Sequence, residues 1–304
     1  MKILVSICTR DRDELLERCL RELSHIEIPI GCEVAAAVTI NSPFPAGSTL
    51  KVVEAAGKDS AFPIFSLVEP KEGIPFARNR GLDYALGNGY THVAFIDDDG
   101  YPAPQWLVGL VSGLNDDVCA SSGPQVPVYA ENADKELIKT GFYDERKLPD
   151  GKLTNWAATN NVLANLDAVR EARVRFDEGF ANTGSSDKLF FMQLTSRTSK
   201  MIRWRLDAVV FEPVPQSRFN RDWLRKRAYR YGSTGFMIRS RVHPVWLAFC
   251  FCLLRSAHLI GLGCVKYALS LVGLSSSLKA DSAFFHGLGF IGGLFPSLRV
   301  KKYV

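Results

Sequence analysis

The hydrophobic residues in the first third of the chain alternate between strand-like runs and helical spacing. Buried strands are predicted at the apolar run 3–8 and at the mostly apolar segments 33–40, 64–68 and 92–96. Apolar residues at helical spacing over 13–23 predict an amphipathic helix, and Pro75 suits the first turn of another that runs to Leu86. Strands that alternate with helices in this way predict an α/β protein with a mostly parallel sheet. Such sheets bind ligands beyond the carboxyl ends of their strands.

From about residue 116 to residue 212 the pattern is more irregular. The polar stretch Tyr129–Leu153 predicts a long loop that could cover a substrate. Trp156–Leu163 is strand-like, Asn165 is a predicted helix N-cap, and an apolar helix is predicted around Leu189–Leu194.

The last third of the chain joins a basic segment to apolar helical patterns. Residues 218–241 hold one acid, Asp222, against eight basic residues: Arg218, Arg221, Arg225, Lys226, Arg227, Arg230, Arg239 and Arg241. Apolar stretches then run from Pro244 to Leu278, interrupted by charges, so no span of about 20 uncharged residues occurs. The pattern predicts an in-plane membrane anchor over 218–278, drawn to anionic headgroups. The alternative is an apolar helical subdomain or a dimer interface.

Composition narrows the class of protein. The 304 residues are 47% hydrophobic and 23% charged, which is typical of a folded chain, and a net charge of +5 is too small to indicate nucleic-acid binding. Seven cysteines without a CxxC pair favour a reducing compartment over disulfides or structural zinc. The first apolar stretch is too short for a signal peptide, so the active part is expected in the cytoplasm.

Three adjacent carboxylates, Asp97, Asp98 and Asp99, directly follow the predicted strand at 92–96. Their charges repel one another, and such a cluster is most easily tolerated when a cation neutralises it. Oxygen ligands favour Mg²⁺ or Mn²⁺ over zinc. A solvated acidic turn is the alternative, but the carboxyl end of a central strand is where an α/β sheet binds its ligand.

Several motifs occur in an order that resembles one enzyme family. They are Val5-Ser6-Ile7-Cys8-Thr9-Arg10, Ala77-Arg78-Asn79-Arg80-Gly81-Leu82, Phe95-Ile96-Asp97-Asp98-Asp99, Thr159-Asn160-Asn161-Val162-Leu163, Arg175-Phe176-Asp177-Glu178 and Ser186-Asp187. Over roughly residues 1–235 the chain resembles the family 2 inverting glycosyltransferases, most closely bacterial enzymes that build exopolysaccharide or lipopolysaccharide repeat units. The resemblance implies the GT-A fold, a Rossmann-like, mostly parallel central sheet flanked by helices.

The expected domains combine this resemblance with the C-terminal pattern. A GT-A catalytic domain is expected over 1–217, with a nucleotide-binding half at 1–115 and an acceptor-binding half at 116–217. An apolar, basic helical extension that associates with the membrane is expected over 218–304.

The resemblance also implies roles for particular residues. Asp99, assisted by Asp97, would hold Mg²⁺ or Mn²⁺ against the diphosphate leaving group. The residues expected to bind the nucleotide sugar are Thr9, Arg10, Arg78, Asp97 and Asp98. A surface salt bridge is the alternative for each arginine. Asn160 and Asn161 match a pair on the acceptor side of the pocket, although hydrogen bonds to loop backbone would account for them equally.

Asp187 matches the position of the general base that deprotonates the acceptor hydroxyl in the family. The family carries a Glu-Asp pair that opens a helix after Phe-Asp-Glu and a glycine-rich turn. Here Ser186 replaces the glutamate, which removes a carboxylate that could orient the base. A plain helix N-cap is the alternative for Asp187.

These features predict a metal-dependent, inverting hexosyltransferase at the cytoplasmic face of the inner membrane. It would transfer a sugar from a nucleotide sugar, UDP-sugars being the commonest donors in the family, to a lipid-linked oligosaccharide in bacterial surface polysaccharide synthesis. Ile40 stands where relatives carry an aspartate that contacts the base, which leaves the nucleotide open.

Three other classes of protein are alternatives. The non-enzymatic alternative is a glycosyltransferase-like subunit that binds sugar or lipid carrier without turnover. A haloacid-dehalogenase-like phosphatase fits poorly, because Tyr101 and Pro102 follow Gly100 where Thr or Val is expected. A nucleotidyltransferase would need a glycine in the loop at Ser6–Arg12, which has none.

Overall fold

The computed structural model of the protein describes residues 1–143 and 146–299 and divides into two compact units. The first unit comprises Met1–Pro127, Glu145–Ala181 and Ser186–Pro213, and the second comprises Val128–Asp144, Asn182–Ser185 and Val214–Val304. The expected domain ranges also include 144–145 and 300–304, which lie outside the described residues. The second unit takes in 128–144 and 182–185, segments that the sequence pattern assigned to the acceptor-binding half.

The first unit is built on an eight-stranded sheet and a small three-stranded sheet. The strands are β1 (Lys2–Thr9), β2 (Glu33–Ile40), β3 (Ile64–Val68), β4 (His92–Asp97), β5 (Tyr101–Pro102), β6 (Val118–Ser122), β7 (Gln125–Val128), β8 (Leu153–Thr154), β9 (Val162–Asn165), β10 (Met201–Trp204) and β11 (Val210–Pro213). The large sheet has the order β3-β2-β1-β4-β9-β6-β10-β8, and the small one β5-β11-β7. Strand β9 runs antiparallel to both of its neighbours, whereas β1 to β4 are mutually parallel.

Helices α1 to α4, α6 and α7 belong to the first unit, and helices α5 and α8 to α11 belong to the second. They are α1 (Asp13–Leu23), α2 (Gly47–Asp59), α3 (Ile74–Gly87), α4 (Trp106–Ser112), α5 (Lys135–Ile138), α6 (Leu166–Ala172), α7 (Ser186–Thr198), α8 (Arg221–Ser233), α9 (Gly235–Arg239), α10 (Val245–Leu271) and α11 (Ser277–Leu294). Of these, α5 lies in segment 128–144 of the second unit.

Strands β1, β2, β4 and β6 of the large sheet are buried on both faces, which explains why their residues are mostly apolar or small. In β1, Leu4 joins one apolar cluster and Ile3, Val5 and Ile7 join the cluster on the opposite face. Helix α3 approaches β1 so closely that a Cβ added at Gly81 would lie 2.3 Å from the Ser6 hydroxyl oxygen. This contact fixes α3 and its Arg78 against the central strands.

The structure differs from the sequence pattern in two places in this unit. Residues 156–161 were predicted as the start of a strand but form no strand, and β9 begins only at Val162. Helix α2 was not predicted, because it buries only Thr49 and Val53 and therefore carries little apolar periodicity. The long loop predicted at Tyr129–Leu153 contains the short helix α5.

The second unit is held together by small residues and by one buried acid. Glycines of α11 lie against helix backbone, and a Cβ at Gly289 would lie 2.1 Å from the Tyr229 carbonyl oxygen of α8. Asp281 is fully buried and accepts hydrogen bonds from Arg221, Arg225 and the Tyr267 hydroxyl. Close packing through small residues is typical of helices in membrane proteins.

Helix α10 corrects one expectation about the C-terminal region. Arg255 and Lys266 do not interrupt it. The helix has 27 residues, and an 18-residue window within it has a mean hydropathy of 1.8, so by length and composition it could cross a membrane. The charged residues were expected to rule out a transmembrane helix in this stretch. The length and composition of α10 do not rule one out.

Candidate active site

The three carboxylates lie at the carboxyl end of the central strand β4. Strand β4 ends at Asp97, and Asp98 and Asp99 form the turn that follows. In the parallel register Cys8 of β1 pairs with Asp97, so Thr9 arrives beside Asp98. The Thr9 hydroxyl donates a 2.8 Å hydrogen bond to Asp98 Oδ2.

Two arginines from different helical segments neutralise this turn. Arg12, just before α1, places Nη1 3.2 Å from Asp98 Oδ1 and 3.4 Å from Asp99 Oδ2. Arg78 of α3 places Nη2 3.2 Å from Asp97 Oδ1. The arginines therefore allow the acidic cluster to exist without a metal ion, which weakens the argument that three adjacent aspartates by themselves require one.

Burial separates the three aspartates into two kinds. The Asp98 side chain is only 5% exposed, whereas those of Asp99 and Asp97 are 22% and 38% exposed. Burial raises the pKa of Asp98 to about 7, and the neighbouring carboxylates add to this, while Arg12 and Thr9 act in the opposite direction. Asp98 is therefore an internal anchor of the turn, and Asp97 and Asp99 are the carboxylates that a bound ion could reach.

The donor chemistry at this turn fits Mg²⁺ or Mn²⁺. Among the residues that the structure describes, no three His, Cys, Asp or Glu side chains converge on a metal site. Mg²⁺ in phosphate-transfer sites is held by one or two carboxylates together with substrate phosphates. Asp97 and Asp99 supply that number of oxygen ligands, so a metal here would depend on the phosphates of a bound nucleotide.

Helix α1 also fixes the backbone of the acidic turn. Arg18 Nη2 donates to the Asp99 carbonyl oxygen at 3.1 Å, and Cys19 Sγ lies 3.8 Å from the Asp97 carbonyl oxygen. Arg12, Arg18 and Cys19 were missed as site residues. The sequence contains one indication of Arg18 and Cys19, because both lie close to Leu16 and Leu20 on the buried face of α1.

Arg10 makes no described contact with the aspartate turn. Its guanidinium lies 2.8 Å from Glu72 and 3.7 Å from Asp11, with the side chain 47% exposed. This geometry matches the salt-bridge alternative as well as it matches a rim position that could face a nucleotide. Asp11 adopts a positive φ of 52°, a conformation that Asp tolerates better than most residues.

Asn79 connects α3 to the segment that leads to α7. Its side chain donates to the Phe176 carbonyl oxygen at 2.9 Å and accepts from the Phe176 N–H at 3.0 Å. The Phe176 ring stacks on Phe190 of α7 at 4.3 Å and meets Phe95 of β4 edge-on at 5.5 Å. A continuous aromatic stack thus joins the strand that carries the aspartates to the helix that carries Asp187.

Asp187 is the second residue of α7 and is partly buried. Its Oδ1 accepts a 2.8 Å hydrogen bond from the N–H of the next residue, Lys188. An N-cap side chain instead accepts from the N–H two or three residues further on. The geometry therefore does not match the plain N-cap alternative.

The reversed direction of β9 explains how Asn160 and Asn161 reach this part of the sheet. Because β9 is antiparallel to β4 and Val162 pairs with Phe95, the start of β9 lies at the edge where β4 ends. Asn160 Nδ2 donates to Glu212 at 3.3 Å, and its Oδ1 is buried without a hydrogen-bond partner among the described residues.

Asn161 does not fit the expected contact with an acceptor. It is fully buried, accepts from the Trp106 indole N–H at 2.8 Å and donates to the carbonyl oxygens of Pro124 and Ala208 at 2.8 and 2.7 Å. These bonds use both N–H groups of the amide and one of the two lone pairs of its oxygen. Asn161 therefore ties chain segments together, and the acceptor role remains open only for Asn160.

Asn41 follows the substituted position Ile40 and has an internal role. Its amide donates to the carbonyl oxygens of Glu69 and Lys71 at 3.2 and 2.7 Å and accepts from the Gly73 N–H at 2.8 Å. It therefore shapes the loop before α3. Neither Ile40 nor Asn41 offers a carboxylate.

Two solved structures share the fold. The mannosyltransferase PcManGT from Pyrobaculum calidifontis, in complex with GDP-Man and Mn²⁺, matches with a TM-score of 0.60 and 16% identity, over 96% of this chain and 87% of that one. S. aureus TarS 1–349 in complex with UDP-GlcNAc matches with a TM-score of 0.51 and 13% identity, over 96% and 91%. The predicted α/β GT-A fold is confirmed.

Sequence comparisons give the family. The chain is 28% identical over 245 residues to the succinoglycan biosynthesis protein ExoM of Rhizobium meliloti (strain 1021), which covers 80% of this chain and 77% of that protein. The model of glycosyl transferase family 2 matches residues 5–163, a region that includes β1, the aspartate turn and the start of β9. Because this match spans more than half of the chain, the protein belongs to glycosyl transferase family 2.

Proposed function

We propose that the protein transfers a hexose, with inversion, from a nucleotide sugar to a lipid-linked oligosaccharide during bacterial surface polysaccharide synthesis. The observation that carries the proposal is the aspartate turn at the end of β4, fixed by Thr9, Arg12 and Arg78. UDP-sugars are the first donors to test, and GDP-sugars follow, because one of the similar solved structures is a complex with UDP-GlcNAc and the other a complex with GDP-Man.

In this proposal the donor end of the site stabilises the leaving nucleoside diphosphate. Asp99 and Asp97 would hold Mg²⁺ or Mn²⁺, which would neutralise charge that develops on the diphosphate. Arg78, which pairs with Asp97, would contribute its positive charge toward a phosphate of the donor. Thr9 and Asp98 keep the turn in place, and Arg10 lies on the rim.

Asp187 would act as the general base at the acceptor end. The acceptor hydroxyl oxygen forms a bond to the anomeric carbon while the bond from that carbon to the phosphate oxygen breaks. The hydroxyl proton passes to Asp187, and the nucleoside diphosphate leaves with the bonding electron pair. Attack on the face opposite the leaving group gives inversion.

A donor screen tests this function directly. Purified full-length protein with Mn²⁺ and a lipid-linked oligosaccharide extract should release nucleoside diphosphate from one donor among UDP-, GDP- and dTDP-sugars. The same mixture with EDTA is the control and should release little. Absence of release with every donor, from protein that still binds nucleotide, would favour the non-catalytic subunit.

The second unit would carry the membrane association. Helix α10 buries one narrow stripe, Ala248, Cys252, Ser256, Leu259 and Gly263, and exposes apolar side chains around it. Arg221 and Arg225 pair with Asp281, and Arg230 is 8% exposed, so fewer than eight basic residues can face a headgroup. We place 1–217 as the catalytic part and 218–304 as the membrane-associating part, on the cytoplasmic face.

Vesicle binding should depend on the exposed apolar face of α10. Trp246 is 65% exposed, so Trp246→Gln should leave the fold intact and weaken binding to phosphatidylglycerol vesicles by about tenfold. Co-sedimentation at low and high salt measures this, and salt should also weaken the wild type. Phe44→Gln, at an 88% exposed aromatic residue of the first unit, is the control. Equal binding by all three proteins would contradict the assignment.

A further inference from the structure

Arg12 helps to fix the aspartate turn, but the proposed mechanism gives it no contact with the donor or the metal ion. It is the N-terminal flanking residue of α1, and no side-chain cap satisfies that helix end. Its guanidinium instead spans Asp98 and Asp99, at 3.2 and 3.4 Å, with the side chain 46% exposed. One arginine therefore touches both the buried anchor of the turn and a carboxylate that could hold a metal ion.

The loop between β1 and α1 places Arg12 there. Thr9 at the end of β1 is bonded to Asp98, and Asp11 at a φ of 52° turns the chain so that Arg12 faces the same carboxylates. The backbone conformation, rather than a flexible side chain alone, sets the contact. A non-glycine residue at positive φ is conformationally costly and is more common near functional sites.

Charge decides what this contact can do. In the ion-free site, three aspartates face Arg12 and Arg78, so the guanidinium groups supply part of the neutralising charge. A divalent cation at Asp99 would compete with Arg12 for the same carboxylate and would be repelled by its charge. A nucleoside diphosphate offers Arg12 another anion, with the fork geometry that guanidinium groups bind well.

We propose that Arg12 is a positioning residue that exchanges partners: it holds Asp99 in the ion-free protein, yields it to the divalent cation, and pairs with the diphosphate of the donor. This inference rests on the proposed function, because it requires a cation at Asp99. Arg12 would then make cation binding and nucleotide binding mutually dependent. The cation would bind weakly by itself and more tightly with nucleoside diphosphate.

Mn²⁺ binding to the purified full-length protein tests the exchange without any turnover. The signal of free aqueous Mn²⁺ in electron paramagnetic resonance gives the Kd, with and without UDP, after subtraction of Mn²⁺ bound by UDP alone. Three variants are compared with the wild type. Arg12→Gln removes the positive charge and the contacts with Asp98 and Asp99. Arg12→Lys keeps the charge but loses the planar guanidinium group that reaches both carboxylates. Arg21→Gln removes an exposed arginine of α1.

Without UDP, Arg12→Gln should bind Mn²⁺ about threefold to tenfold more tightly than the wild type, because the competing cation is gone. Arg12→Lys should lie between the two, and Arg21→Gln should match the wild type. The gain in Mn²⁺ affinity that UDP gives the wild type should shrink in Arg12→Gln. Circular dichroism checks that every variant is folded.

Other outcomes would overturn the exchange. Equal or weaker Mn²⁺ binding by folded Arg12→Gln would mean that Arg12 does not compete at Asp99, while the proposed function would stand. Wild-type affinity in Arg12→Lys would show that the charge matters and the bridge does not. If no variant bound Mn²⁺ even with UDP, both the exchange and the metal site of the proposed function would fail.

Discussion

Asp187→Asn should lower kcat by about 10²- to 10⁴-fold, the usual contribution of a general base. Asn keeps the size of the side chain and can accept the same hydrogen bond from the Lys188 N–H. It cannot take a proton from the acceptor hydroxyl. Because Asp187 would act on the acceptor in the proposed mechanism, the Kd for the donor nucleotide should change little, and the loss should fall on kcat.

Asp167→Asn is a matched control for this substitution. Asp167 is the second residue of α6, as Asp187 is of α7, but its side chain is 79% exposed and pairs with Arg170. Both variants lose one first-turn carboxylate, so both should melt within a few degrees of the wild type. If Asp187→Asn turned over within about twofold of the wild type, the search for the base would move to Asp177 or Glu178.

Asp99→Asn should remove most of the activity, by about 10²-fold or more, because the metal would lose a ligand and its charge. Donor turnover measured against Mn²⁺ concentration should show that the remaining activity needs far more metal. The fold should survive, since the Asp99 carbonyl oxygen still accepts from Arg18 and the side chain makes only partly exposed contacts.

Asp116→Asn, at an exposed aspartate outside the site, is the control for charge removal. It should keep wild-type turnover and wild-type Mn²⁺ dependence. EDTA should inhibit the wild type and Asp116→Asn alike. Full activity of Asp99→Asn in EDTA would exclude a metal role for this carboxylate.

The sequence predicted most reliably those strands that bury both faces. The bounds of β2 and β3 agree with the predicted strands at 33–40 and 64–68, because most residues of β2 and both Ile64 and Leu67 of β3 are buried. Helix α2 escaped prediction for the opposite reason: most of its face is exposed. The polar segment 156–161 was assigned to a strand although its asparagines bond to distant groups, which local pattern cannot show.

In the site, residues next to a strand end could be predicted from the strand pattern. Arg78 of α3 and Asp187 of α7 were named only through the family resemblance, and Arg12 and Arg18 were not predicted. Thr9 and Asp98 follow directly from the parallel register of β1 and β4. Arg12 depends on the unusual backbone of Asp11, and Asn79 depends on a contact with Phe176 far along the chain. Asn161 matched a family position, but only the three-dimensional contacts show that its amide is buried and bonded to three groups within the protein.

The antiparallel strand β9 has a consequence for how the chain folds during synthesis. Strand β4 lies between β1 and β9, so until β9 has been made its second edge has no partner. An open apolar edge is prone to pair with other chains, and pairing between distant strands is slow. A fragment of residues 1–115 should therefore aggregate rather than fold as an independent nucleotide-binding domain. During synthesis, the sheet that carries the aspartate turn should become stable only after β9 has been made.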